Sequence, residues 1–229
     1  MSMADSKIER SISLVRQKKF ATLLKIAIKS TIPRKLLYFD MLYIVGVSSV
    51  DTKKLRTKNL SSRMASLSDI NKLSQIYGDS EVFRKRFENG CECMIAEIKG
   101  EIAGAIWLQY NDTYRTNCEY IYRPESKLVW IFDAFIVPKY RLRGVFPFLI
   151  SEIINYVNAN AHEGVCGEIH YENQVSINAH LKIGFRKIEK ISYVSFLGFF
   201  IYLVKNCALK RNRYLFRYVN PMKSLNNAR

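Results

Sequence analysis

No stretch of this sequence is apolar for long enough to span a bilayer. The longest such run, residues 191–204, has fourteen residues, short of the roughly 20 that a spanning helix needs. The N-terminus has no run like the apolar core of a signal peptide, so no leader is expected. Metal-site spacing is missing as well. Cys91-x-Cys93 has no second ligand pair at metal spacing, and no metal is expected. The five cysteines, Cys91, Cys93, Cys118, Cys166 and Cys207, are odd in number. A chain of 229 residues needs no disulfide staples, so a reduced, cytoplasmic protein is the simpler reading. No internal repeat is visible.

Acidic residues are nearly missing from both ends. Residues 1–35 hold nine Lys/Arg and two Asp/Glu, and residues 186–229 hold ten and one. Residues 36–185 hold seventeen of each, so the net charge of +16 sits entirely in the tails. Basic tails point to an anionic neighbour such as a membrane surface or nucleic acid, or else to a solvated face that keeps the chain soluble. No base-reading motif is present, so nucleic acid is not the expected partner. Contact through the tails alone would weaken steeply with salt.

What is present describes one well-filled core with appendages. Hydrophobic residues make up 48% of the chain and charged residues 24%, an ordinary globular balance. Helical spacing runs over residues 5–30 and ends at Ile32-Pro33. That helix can pack on the body or lie on a membrane surface. Residues 36–47 read as a strand and 51–62 as a polar connector. Ser66 or Ser68 caps a helix that runs to Gly78, and a second helical piece covers 80–88. Lys99-Gly100 turns a hairpin between 93–98 and 101–110. Residues 111–126 read as a polar loop and 128–137 as a strand. Phe146, Leu149, Ile150, Ile153, Ile154 and Val157 mark a helix. A strand over 165–171 and a short helix over 176–183 follow, the latter stopped by Gly184. The run 191–204 reads as two core strands, with a membrane-dipping element as the alternative.

Two segments carry chemistry. Phe135-Ile136-Val137-Pro138-Lys139-Tyr140-Arg141-Leu142-Arg143-Gly144 takes a strand through a basic turn into a helix. Such a turn points backbone N–H groups at one spot beside the positive end of a helix dipole, which suits a phosphate or diphosphate. Downstream, Asn173 ends a strand, a helix follows, and Gly184-Phe185 closes it.

In order and spacing these segments resemble the GNAT superfamily of acyl-CoA-dependent N-acyltransferases, over roughly residues 62–190. The resemblance implies an α/β (α+β) fold: a mixed, mostly antiparallel twisted sheet flanked by helices and splayed between its two central strands. It divides the chain into a basic extension (1–61), an acyltransferase core (62–190) and an apolar, then basic, extension (191–229). It implies acetyl-CoA, or another acyl-CoA, as co-substrate and a small primary amine as acceptor, for instance an amino sugar or a cell-surface precursor. Pantetheine would bond the backbone near Phe135, Ile136 and Val137, with the N–H of Ile136 or Val137 facing the oxyanion. Arg141 would flank the diphosphate, which would rest on Leu142, Arg143, Gly144, Val145 and Phe146. Asn173 and Ser176 would also contact the cofactor.

His180 stands where many members carry Tyr, and is expected to protonate the leaving thiolate, or else to be a surface or packing histidine with no chemistry. Asp133 is expected to take the amine's proton or pair with the amine, or else to be a structural partner of a nearby Arg. Glu168 is a further catalytic candidate. By alternation it shares a face with His170 and Glu172. Phe146 replaces the family's usual Gly or Ala, which predicts a narrower cofactor turn. Rival expectations are protein or peptide N-acetylation and a non-catalytic CoA-binding module. Peripheral contact with a membrane through the tails is a separate expectation.

Overall fold

The computed structural model describes residues 37–49, 59–124, 127–197, 199–207, 209 and 211–218, with the side chains of 217 and 218 excepted. The helix expected over 5–30 and most of the 51–62 connector lie outside the described residues. The chain forms two units. The larger comprises residues 42–191 and 205–211, and the smaller comprises 1–41, 192–204 and 212–229.

The larger unit is a mixed, mostly antiparallel sheet with helices on both faces, as expected. Its strands are β1 (Leu37–Val47, from residue 42), β2 (Leu60–Met64), β3 (Glu92–Ile98), β4 (Glu101–Gln109), β7 (Leu128–Ile136), β8 (Gly164–His170) and the first half of β9 (Arg186–Phe196). They run in the order β9-β1-β8-β7-β4-β3-β2. The strand pairs β1–β8, β2–β3, β3–β4 and β4–β7 are antiparallel, and β7–β8 is parallel. Lys99 and Gly100, at φ 51° and 80°, make the two-residue β3–β4 turn that the sequence announces.

Side-chain alternation divides the core between the two faces. Met94 and Ala96 of β3 face helix α3 (Val145–Ala159), whose Val145, Leu149, Ile150, Ile153, Ile154 and Val157 are all buried. Cys93 and Ile95 face the other way, toward Ile70 and Leu73 of α1 (Ile70–Ile76) and Phe83 of α2 (Ser80–Glu88). Helix α4 (Gln174–Lys182) joins the α3 face through Ile177. Asp79 caps α2, its Oδ1 accepting from the N–H of Glu81 at 2.7 Å and of Val82 at 3.3 Å.

Two expectations need correction here. Residues 60–62 are not connector but part of β2, where Leu60 pairs with Ile98. Residues 111–126 are not simply a loop. They hold a small hairpin, β5 (Tyr114–Arg115) and β6 (Ile121–Tyr122). Its tyrosines are amphipathic: the Tyr114 ring stacks on Trp130 at 5.0 Å while its hydroxyl donates to the Leu128 carbonyl at 3.1 Å.

Before α1, Ser66 opens a capping box over a 3-10 turn (Leu67–Asp69). The buried Asp69 carboxylate accepts from Ser66 N–H at 2.9 Å and from both Arg63 nitrogens at 2.8 Å. The Arg63 guanidinium holds this carboxyl well below the usual carboxylate range, against the opposing effect of burial. With its folded value depressed, the pair stabilises the fold above the ordinary carboxylate range and loses that effect as pH falls through the folded value. Asp69→Ala is expected to cost about 2 kcal/mol at neutral pH, a value discounted because Arg63 is partly exposed, as urea unfolding would measure.

In the smaller unit, the second half of β9, β10 (Phe199–Asn206) and β11 (Asn212–Tyr218) follow in the order β9-β10-β11. Tyr193 and Tyr202 turn to one face, ring to ring at 6.3 Å, and Tyr38 meets Tyr193 at 5.9 Å. The run 191–204 is thus two strands, as expected. Only alternate residues are core, however, because Val194, Phe196, Phe199, Ile201 and Leu203 are exposed.

Candidate active site

β7 and β8 start as neighbours and then part. Their parallel pairing runs Leu128↔Gly164, Val129↔Val165 and Trp130↔Cys166, and stops there. At Gly167 the backbones still touch, since a Cβ there would lie 2.6 Å from the Ile131 carbonyl oxygen. Beyond that point β7 bulges. Ala105 pairs with Phe135 and Trp107 with Phe132, so Asp133 and Ala134 oppose the single residue Ile106. Asp133 takes φ 47°, a conformation that bulky residues avoid. A bulge adds local twist and re-aims the strand. The result is a cavity of about 190 Å³ lined by Phe132, Asp133, Gly167, Glu168, His170 and His180, and by Asn173 and Ser176 of α4 and its cap.

The backbone beside this gap offers donors. Val137 N–H is not one of them, because it donates to the Ala103 carbonyl at 3.0 Å. Ile136, one residue earlier and opposite Gly104, belongs to the alternate pair of the ladder, so its N–H points away from β4 toward the gap. Of the two N–H groups expected to face an oxyanion, Ile136 is the one left to do so. Its carbonyl accepts from Arg141 Nε at 3.3 Å, which ties the basic turn to the strand end. Phe135 turns its ring the other way and stacks on Tyr77 at 4.4 Å.

The turn itself is built for close backbone approach. Leu142 (φ 61°) and Gly144 (φ 77°) are left-handed, and Gly144 is the N-cap of α3. The first helical bond runs from Phe148 N–H to the Gly144 carbonyl at 3.1 Å. Val145 and Phe146 therefore have N–H groups without a helical acceptor, and Pro147 has none to offer. Arg141 and Arg143 are exposed at the rim. This combination fits a diphosphate. The Phe146 ring packs 4.7 Å from the His180 ring and is not among the residues that line the gap.

Four titratable groups line the gap: Asp133, Glu168, His170 and His180. Glu168 is half-buried on β8, and desolvation pushes its carboxyl up to about 7, opposed by the Asn117 backbone N–H that donates to Oε2 at 3.1 Å. The Asn117 side-chain amide also donates to Glu168. His180 is buried between Phe146 and Phe185. Its Nδ1 lies 2.8 Å from the Ser176 carbonyl oxygen. A carbonyl only accepts, so Nδ1 carries the proton. Burial lowers the imidazole's pKa, against the raising effect of the Ser176 bond. With its proton on Nδ1, a neutral His180 presents Nε2 as an acceptor.

Asp133 is an ion-pair partner. Arg86 Nη1 of α2 donates to its Oδ2 at 2.5 Å, while the guanidinium lies over Trp107 at 4.9 Å and Phe132 at 5.1 Å. The carboxylate thus has an Arg partner and also lines the gap. Asp133→Asn keeps an acceptor for Arg86 and should lower kcat by less than about ten-fold, as steady-state rates would check.

Asn173 Oδ1 caps α4, accepting from Ser176 N–H at 3.1 Å. His170 lines the gap at the end of β8, whereas Glu172 lies past the strand end. Arg86 and Asn117 are the working residues that sequence reasoning passed over. Each meets its partner across about fifty residues, 47 and 51 positions away, with no local pattern to mark it. A larger open cleft of about 660 Å³ lies at the other end of β7, around Leu128, Lys127 and His162. It meets the C-terminal end of α3, where the dipole disfavours a diphosphate.

A model of the acetyltransferase (GNAT) family matches residues 63–185. Nothing among curated proteins matches the chain. Three solved structures illustrate the similarity. One is a functionally unknown conserved protein from Staphylococcus epidermidis ATCC 12228, at 15% identity and TM-score 0.48, over 69% of this chain and 61% of that one. The second is AAC(6')-Iy with a bisubstrate analogue, CoA-S-monomethyl-acetylneamine, at 19% identity and TM-score 0.47, over 56% of this chain and 91% of that one. The third is the aminoglycoside 6'-N-acetyltransferase AAC(6')-Ih from Acinetobacter baumannii, at 14% identity and TM-score 0.46, over 56% and 91%.

Proposed function

The chain belongs to the acetyltransferase (GNAT) family, and from that premise we propose that it moves an acetyl group from acetyl-CoA to the primary amine of a small acceptor by direct attack. The observation that carries this reading is the gap where β7 and β8 part, with Glu168 on its wall, a carboxyl that burial pushes up to about 7. A base with that pKa can take a proton from an ammonium group at physiological pH.

In this reading the diphosphate sits on the turn from Leu142 to Phe146, flanked by Arg141 and Arg143, with pantetheine along the end of β7. Glu168 accepts one proton from the acceptor's ammonium group. The freed amine nitrogen then bonds to the thioester carbonyl carbon, and Ile136 N–H stabilises the resulting oxyanion. As the C–S bond breaks, the nitrogen's second surplus proton must reach the thiolate. His180 Nε2 is an acceptor on the same gap, so it can take that proton and pass it to sulfur. Asp133, held by Arg86, shapes the wall opposite Glu168. The basic tails, which carry the whole net charge of +16, favour an acceptor with a phosphate or carboxylate over a Lys-rich peptide.

The test is CoA thiol release with acetyl-CoA and a panel of amino sugars, amino acids and basic peptides, with the product identified by mass. Acetylation of a small acidic amine is the expected result. Preferential acetylation of the peptides would overturn the acceptor class, and acetyl-CoA binding without turnover on any amine would overturn the enzyme reading.

A further inference from the structure

The smaller unit carries an exposed apolar face that acyl transfer does not use. By alternation, Val194 and Phe196 of β9 and Phe199, Ile201 and Leu203 of β10 lie on one side of the hairpin. These five are 37–56% exposed, while Tyr193, Tyr202 and Val204 on the other side are 7% or less. At the hairpin tip Leu197 is also exposed, and it turns the chain at φ 48°. On β11, Tyr214 and Phe216 are more exposed still. Single exposed apolar residues need no explanation, but a contiguous sheet face does.

Charge identifies what the face fits. Residues 192–204 contain no charged side chain at all. The rest of the smaller unit is strongly basic: together its segments hold thirteen Lys/Arg and three Asp/Glu, a net +10 of the chain's +16. An uncharged aromatic face within a cationic unit is complementary to an anionic lipid surface. Exposed rings suit the boundary of headgroup and acyl chain, and a basic sequence suits anionic headgroups. A second copy of the chain would bring +10 against +10, which opposes self-association through this face.

We propose that the β9–β10 hairpin face docks this protein on anionic membranes as a peripheral contact. The proposal is independent of which amine is acetylated.

The test is co-sedimentation of the full chain with phosphatidylcholine vesicles, with and without phosphatidylserine. Wild type is expected to bind the phosphatidylserine vesicles, more weakly as salt rises. Replacing Phe196 and Phe199 by Asp should reduce that partitioning by at least about ten-fold, while acetyl-CoA binding is unchanged. A gentler variant, Phe199→Trp, should show a blue shift of its emission on the same vesicles, against the background of buried Trp107 and Trp130. Absence of vesicle binding, equal binding by the Asp variant, or no emission shift would overturn the proposal. So would a discrete dimer in sedimentation velocity that the Asp substitutions dissociate, since that would make a second copy the occupant.

Discussion

Glu168→Gln should lower kcat by about 10²–10³ and leave the affinity for acetyl-CoA unchanged. The substitution keeps the shape of the side chain and an oxygen to accept from Asn117, and removes only the ability to take a proton. The pH profile gives the sharper signature. The base must be deprotonated to act, so wild-type kcat/KM should rise with pH up to about 7, the value to which burial pushes the carboxyl, and level off above it. The Gln variant's residual rate should lack that limb. Stability should move the other way. A folded value raised above the ordinary carboxyl value of 4.5 means that the folded state holds this proton more tightly. The associated stability is complete below pH 4.5 and is lost as pH rises through 7. Gln carries no such loss, so at pH 8 the variant should be more stable than wild type, by on the order of 2–3 kcal/mol. A less active, more stable variant is hard to reconcile with a purely structural Glu168. Unchanged kcat with an intact low-pH limb would remove it from the base role.

Gly144→Val should reduce acetyl-CoA affinity by at least about ten-fold while the protein stays folded. Gly144 holds φ 77° at the N-cap of α3. A β-branched residue in that conformation costs roughly 1–2 kcal/mol or more, and the chain can relieve the strain only by re-aiming the turn. That moves the N–H groups of Val145 and Phe146, which are free because the helix ladder begins at Phe148. The buried stripe of α3, from Val145 through Val157, is untouched and should keep the helix docked. Calorimetry and urea unfolding would separate the two effects. Full affinity in a folded Gly144→Val protein would mean that the turn does not hold the diphosphate.

Much of the larger unit was legible because its signals are local. Leu149, Ile150, Ile153 and Ile154 recur at helical spacing, Ser66 stands at a helix start, and Lys99-Gly100 supplies two left-handed residues where a hairpin needs them. The β5–β6 hairpin escaped notice because its buried residues are, besides Cys118, tyrosines and Thr116, which read as polar although they are buried. β2 escaped because its core-facing Leu60 and Met64 are separated by Ser61, Ser62 and Arg63, too few apolar positions to mark a strand before it pairs with β3.

In the site, residue types and order located the gap, but protonation and pairing are three-dimensional facts. The spacing of Asp133 and Glu168 does not say that Arg86 reaches the first and Asn117 the second. The identity of His180 does not say that the Ser176 carbonyl fixes its proton on Nδ1.

The most direct test of the acyl-CoA gap is a calorimetric titration of the full chain with acetyl-CoA, run beside the Gly144→Val variant. The account predicts saturable one-to-one binding to wild type, weakened at least about ten-fold in the variant. No saturation at millimolar acetyl-CoA, or equal binding by both proteins, would contradict it.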